Sequence, residues 1–127
     1  MKTKLSYLLL AMLLLAACTT DTSLDQLVTR DGYTYLVNSD QPFTGTARSH
    51  YSNGQLEIET NYMNGIEEGT YTSYWENGQL KEKAILVNGR KDGLYELFWP
   101  NGSPMQKKIF ANGIEMEVML DELAAMR

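Results

Sequence analysis

Polar and apolar positions along the chain fall into three regimes. Residues 5–17 are apolar apart from Ser6. Across residues 43–111, apolar and polar side chains alternate at the two-residue spacing of strands and are punctuated by Asn-Gly pairs. Beyond Gly113, Met116, Met119, Leu120, Leu123 and Met126 return at helical spacing, which predicts a helix over residues 115–126. The alternating stretch also repeats: Gly45, Gly69 and Gly93 lie 24 residues apart, as do Tyr51, Trp75 and Trp99. Two sets of Asn-Gly pairs keep the same period, one at Asn53, Asn77 and Asn101 and the other at Asn64, Asn88 and Asn112. A fixed period of this length marks a repeat protein.

Asn-Gly between alternating runs is a strong hairpin signal, because a type I′ turn needs positive φ at both central residues. If all six pairs are two-residue turns, Ser52 faces Gln55, Tyr51 lies opposite Leu56, and Ala47 opposite Thr60. The next turn sets Met63 against Ile66, Tyr62 against Glu67 and Ile58 against Tyr71. One face then gathers Tyr51, Leu56, Ile58, Tyr62 and Tyr71, and one period on Trp75, Leu80, Ala84, Leu86, Tyr95, Trp99 and Phe110. The other collects Arg48 against Glu59, His50 against Glu57, and a ladder of Lys81, Glu96 and Lys107, the opposite-charge pairs of a solvated face. The expected fold is mainly β, a single antiparallel meander of hairpin repeats over residues 32–113. A short C-terminal helix within residues 114–127 is expected to close its Trp99 end. A strand at residues 33–37 precedes the meander, and residues 18–31 read as a tether with at most one helical turn around residues 23–28.

The period would also suit a leucine-rich repeat, but the L-x-x-L-x-L spacing and the helical half are missing. Tyr51-Ser52-Asn53-Gly54-Gln55-Leu56 and Trp75-Glu76-Asn77-Gly78-Gln79-Leu80 instead resemble the variant MORN (membrane occupation and recognition nexus) repeat of many bacterial proteins. Pro42-Phe43-Thr44-Gly45, and Asn64-Gly65 and Asn88-Gly89 with Gly69 and Gly93, carry the same resemblance. The third repeat departs from it, with Ser103-Pro104 in place of Gln-Leu and Glu117 in place of a glycine. The resemblance implies a meander of β-hairpins with a binding or scaffold role, and it fixes no reaction or ligand. Some bacterial members carry an antitoxin-like label.

The N-terminus changes the picture of where the domain works. Met1-Lys2-Thr3-Lys4 is basic, and the 13 residues that follow are too few to cross roughly 30 Å of hydrocarbon as a helix. Residues 1–17 read as a signal-peptide helix. Leu15-Ala16-Ala17-Cys18 resembles a bacterial lipobox, which implies a diacylglyceryl group on the Cys18 thiol and an acyl chain such as palmitate on its new amino group. That anchor would hold the protein in the bacterial cell envelope, at the outer membrane of a Gram-negative cell because Thr19 rather than Asp follows.

Cys18 is the single cysteine, so the mature domain is expected to hold no disulfide, thiolate metal site or thiol nucleophile. Without Lys2 and Lys4, nine basic residues face sixteen acidic ones, a net charge of −7 that disfavours nucleic acid and direct contact with anionic lipid. His50 beside Glu57 reads as a surface pair. Ser49, Ser52 and Ser73 lack a nucleophile elbow, and no set of metal ligands or phosphate loop is visible. The expectation is a non-enzyme with no catalytic residue, metal site, small-molecule substrate or cofactor beyond the covalent lipid. A row of Tyr51, Tyr71, Trp75, Tyr95 and Trp99 is the candidate binding face for a protein or envelope polymer. The leading function is a membrane-anchored binding or scaffold module. The alternative is an immunity or antitoxin-like protein that neutralises a basic partner.

Overall fold

Two kinds of chain reversal shape the sheet in the computed structural model, which describes residues 21–117. The strands are β1 (Asp21–Ser23), β2 (Leu27–Arg30), β3 (Tyr33–Leu36), β4 (Gly45–His50), β5 (Leu56–Met63), β6 (Ile66–Glu67), β7 (Gly69–Tyr74), β8 (Leu80–Val87), β9 (Arg90–Lys91), β10 (Gly93–Phe98), β11 (Pro104–Ala111) and β12 (Ile114–Met116). The main sheet runs β1-β4-β5-β7-β8-β10-β11-β12, with β6 on β5 and β9 on β8, while β2 and β3 form a separate hairpin. Each 24-residue unit is an antiparallel hairpin, as the alternation predicts.

The Asn64, Asn88 and Asn112 turns are type I′. Asn64 and Gly65 hold φ of 50° and 80°, and Met63 pairs with Ile66 as expected. The other three turns are not. Asn53, Asn77 and Asn101 are absent from the positive-φ residues, and only the following glycine is left-handed, with Gly54 at 85°. Gly54 donates its N–H to the Tyr51 carbonyl, and Tyr51 donates to Gln55, which makes a three-residue loop of a type I turn plus a bulge. The Asn53 side chain favours this geometry by accepting the Gln55 N–H at 2.9 Å.

Because Tyr51 closes this loop with Gln55, Leu56 pairs with His50 rather than Tyr51, and an irregularity at Ser49/His50 then restores the predicted register. Leu56 and its counterpart Leu80, which pairs with Tyr74, therefore leave the predicted apolar face. Ala47 against Thr60 and Arg48 against Glu59 are found as predicted. Ile58 faces Ser73 rather than Tyr71; this slip of two residues preserves parity, so Tyr71 stays on the expected face. His50 does not sit across from Glu57, whose carboxylate accepts from Ser49 at 3.2 Å. Glu96 pairs with Lys83 and Lys107, while the Lys81 ammonium lies 4.6 Å over the Trp75 ring.

Burial concentrates on one face, here the front. Ala47, Thr60, Ser73, Ala84 and Leu86 lie on it and are all buried, whereas Lys83, Ile85 and Val87 on the back of the same strands are exposed. Among the described residues no second layer covers the sheet, and hydroxyl or methyl groups can be enclosed by their larger neighbours alone, so small side chains dominate. Phe43, edge-on to Tyr62 at 5.7 Å, closes the N-terminal end.

Both chain ends depart from expectation. The predicted tether enters the fold at Asp21: β1 pairs in parallel with β4, a 3₁₀ turn spans Leu24–Gln26, and β2 follows. Arg48, ion-paired with Asp21 and with Glu59 at 2.6 Å, fastens β1 in place. At the other end β12 is a strand where a helix from residue 115 was predicted. Glu115 reaches the front face opposite Phe110, and Lys108 meets it at 2.7 Å, supplying the partner that makes the strand tolerable. The remainder of that predicted helix and the signal segment lie outside the described residues.

Candidate functional site

The middle of the front face is built by adjacent repeats at matching positions. β7 places Tyr71 opposite Ala84 of β8, whose methyl leaves space beside the phenol. A pocket of about 270 Å³ opens there, lined by Glu67, Tyr71, Glu82, Ala84, Leu86, Gly89 and Lys91. Glu67 comes from the short β6 and accepts from Thr60 at 3.2 Å. Lys91, its counterpart one period on, sits 3.7 Å over the Tyr95 ring and 5.4 Å over that of Phe110, with Glu82 at 3.9 Å. Tyr95 and Phe110 stand edge-to-face at 5.7 Å, so the ammonium is held by two ring faces and one carboxylate.

The electrostatics follow from this crowding. Burial, then the hydrogen bond to Glu82 and the charge of that carboxylate, pushes the Tyr95 phenol up to about 12. Burial and the charges of Glu82 and Glu67 raise Tyr71, and burial with Glu67 raises Tyr62. All three phenols stay protonated near neutrality and act as hydrogen-bond donors with apolar flanks. The pocket can seat a cationic or hydrogen-bonding group against acidic and aromatic walls.

Tyr71 and Tyr95 of the predicted row therefore flank this site, but Tyr51, Trp75 and Trp99 have other surroundings. Tyr51 Oη donates to the Tyr74 carbonyl at 2.8 Å, and Trp75 Nε1 donates to that of Phe98 at 3.0 Å. Each aromatic ring thus staples one repeat to the backbone of the next. Trp99 is 51% exposed rather than covered. Glu82 and Lys91 are not singled out by the sequence pattern, and Glu67 only as the partner of Tyr62, although the alternation sets all three on the front face as period-mates or neighbours of Ile58, Tyr62 and Tyr71. They were passed over because charge was assigned to the back. Cys18 lies outside the described residues.

Among the described residues no helix is long and apolar enough to cross a membrane, and no group of three or more His, Cys, Asp or Glu is placed to hold a metal ion. Comparison with curated proteins and with solved structures found no match. The model of the MORN repeat variant family matches three times, at residues 43–64, 67–88 and 91–112. Those matches coincide with the three hairpins that carry Tyr51, Trp75 and Trp99, and together they take in over half of the chain. The chain belongs to the MORN repeat variant family.

Proposed function

We propose that this protein is a non-catalytic binding module that works from a membrane surface, held by lipid on Cys18 in the bacterial envelope. The observation that carries the reading is the front-face pocket between repeats, where Tyr71, Glu82 and Lys91 are only part-buried and offer aromatic, acidic and basic groups at once. Such a mixture suits recognition of a protein side chain better than it suits bond breaking. The anchor is supported by Leu15-Ala16-Ala17-Cys18 after an apolar run too short to span a bilayer.

A photo-crosslinking residue at position 71, with one at position 50 on the back as control, tests the face in living cells. Adducts from position 71 alone are expected, and equal labelling from both positions would sink the reading. The identity of the adduct separates the two functional classes. A resident envelope protein supports a scaffold, whereas a single basic effector supports the immunity-like alternative, which the two carboxylates in the pocket favour. Mass spectrometry of the mature N-terminus tests the anchor: wild type should begin with acylated Cys18, and Cys18→Ser should accumulate as precursor.

A further inference from the structure

The two ends of the sheet are finished differently. At the N-terminal end β1 covers the outer edge of β4, and Arg48 grips Asp21 across the junction. At the C-terminal end β12 pairs with only Ile109, Phe110 and Ala111 of β11. Among the described residues, the outer edge of β11 at Gln106 and Lys107 has no strand beside it.

The missing neighbour is specified by the two junctions already present. Glu82 and Lys83 of β8 pair with Leu97 and Glu96 of the next repeat, just as Ile58 and Glu59 pair with Ser73 and Thr72. The aromatic residue at each turn donates to the following repeat, Tyr51 to Tyr74 and Trp75 to Phe98. The turn asparagine does the same, Asn53 to Glu76 at 3.1 Å and Asn77 to Pro100 at 2.7 Å. On the opposite margin Gly89 and Gly113 donate to the carbonyls of Glu67 and Lys91. The third copy of this set is Trp99 Nε1, Asn101 Nδ2, the edge at Gln106 and Lys107, and the Glu115 carbonyl, and both turn residues are exposed.

We infer that this end is a docking edge for a β-hairpin of the same repeat type carried by another protein, added in register as a fourth unit. The edge continues an interface used twice inside the chain. A second copy does not fit head-to-tail, because its β4 is already covered by β1. Two β11 edges meeting antiparallel in the even register would set Lys107 against Lys107. The chain's own continuation is a poor match as well. One period beyond Glu96 and Leu97 stand Leu120 and Asp121, which would put the apolar residue beside Lys107 and the carboxylate on the front. The fitting strand carries an acidic residue opposite Lys107 and an apolar one opposite Gln106. It then runs into a turn whose carbonyls meet Trp99 and Asn101. This edge is distinct from the pocket of Tyr71 and Glu82, and either can fail without the other.

A synthetic peptide of residues 93–111 carries these features and serves as the probe against the full-length protein in detergent. Free protein should be monomeric by light scattering, with the outward amides among residues 106–108 exchanging freely; the peptide should bind and protect them. Trp99→Phe and Asn101→Asp should each weaken peptide binding roughly three- to tenfold, the loss of one hydrogen bond, while Trp75→Phe leaves it unchanged. Protection of those amides without peptide, a dimeric free protein, or binding indifferent to both Trp99→Phe and Asn101→Asp would each overturn the inference.

Discussion

At the level of single residues, the two glycine classes make different demands. Gly54 and Gly65 have nearly the same φ, +85° and +80°, yet a Cβ on Gly54 meets nothing within 4 Å while one on Gly65 lies 2.9 Å from the Thr34 carbonyl. Gly54→Ala should cost about 1 kcal/mol, the left-handed penalty alone, whereas Gly65→Ala should cost about 3 kcal/mol because the backbone of β3 must also give way. Urea midpoints followed by circular dichroism check the difference. Tyr95 makes a prediction in pH. Its phenol is raised from 10 to about 12, so the folded chain holds that proton more tightly than the unfolded chain. The associated stability is complete below pH 10 and is lost as pH climbs toward 12. Tyr95→Phe should reduce the alkaline loss of stability, with the remainder due to Tyr62 and Tyr71; an unchanged slope would contradict the burial of this phenol beside Glu82.

At the level of elements, hairpins are joined by side chains that reach across to the next backbone. Trp75→Phe removes the bond to Phe98 and should lower stability by about 1 kcal/mol, while Trp99→Phe, with an exposed ring, should stay within about 0.5 kcal/mol. Equal losses in thermal or urea melts would mean that the two rings do the same job. The hairpins themselves were legible because the Asn64, Asn88 and Asn112 turns follow the rule that Asn-Gly accepts positive φ twice. The other half of the Asn-Gly pairs misled, since the same dipeptide also closes a type I turn with a left-handed glycine after it. The hint was local: a turn asparagine whose side-chain carbonyl captures the N–H of residue 55, 79 or 103. That one extra loop residue moved Leu56 and Leu80 to the back and turned Tyr51 and Trp75 from face into staple. The site was legible only in part, because Tyr71 and Tyr95 follow from parity but the acidic groups between them required knowing that the front face is not uniformly apolar. Only the start of the predicted C-terminal helix is corrected, since at Glu115 and Met116 helical spacing does not outweigh a type I′ turn at Asn112 and the ion pair that Glu115 gains as a strand residue.

For the molecule as a whole, the number of repeats is set by what finishes each end. β1 is a strand of three residues, but it occupies the edge that would otherwise accept another copy's β11. A lipid-free chain beginning at Thr19 should therefore be monomeric, and one beginning at Leu24 should associate with rising concentration as β4 is uncovered. Sedimentation or light scattering across a concentration series measures this. A Leu24 chain that stays monomeric at every concentration would show that β1 is not what prevents stacking.

In the lipid-anchored form proposed above, the position of β1 would also set the geometry relative to a bilayer. With acyl chains on Cys18, only Thr19 and Thr20 intervene before the first paired residue, Asp21. Three peptide links extend at most about 10 Å, so the leash is shorter than the headgroup layer is deep plus any useful swing. That anchor would moor the first repeat against the lipid surface, and successive hairpins would step away from it in sequence order. Reach would become a matter of counting repeats, and the third hairpin, β10 with β11, is the one farthest along the sheet from β1.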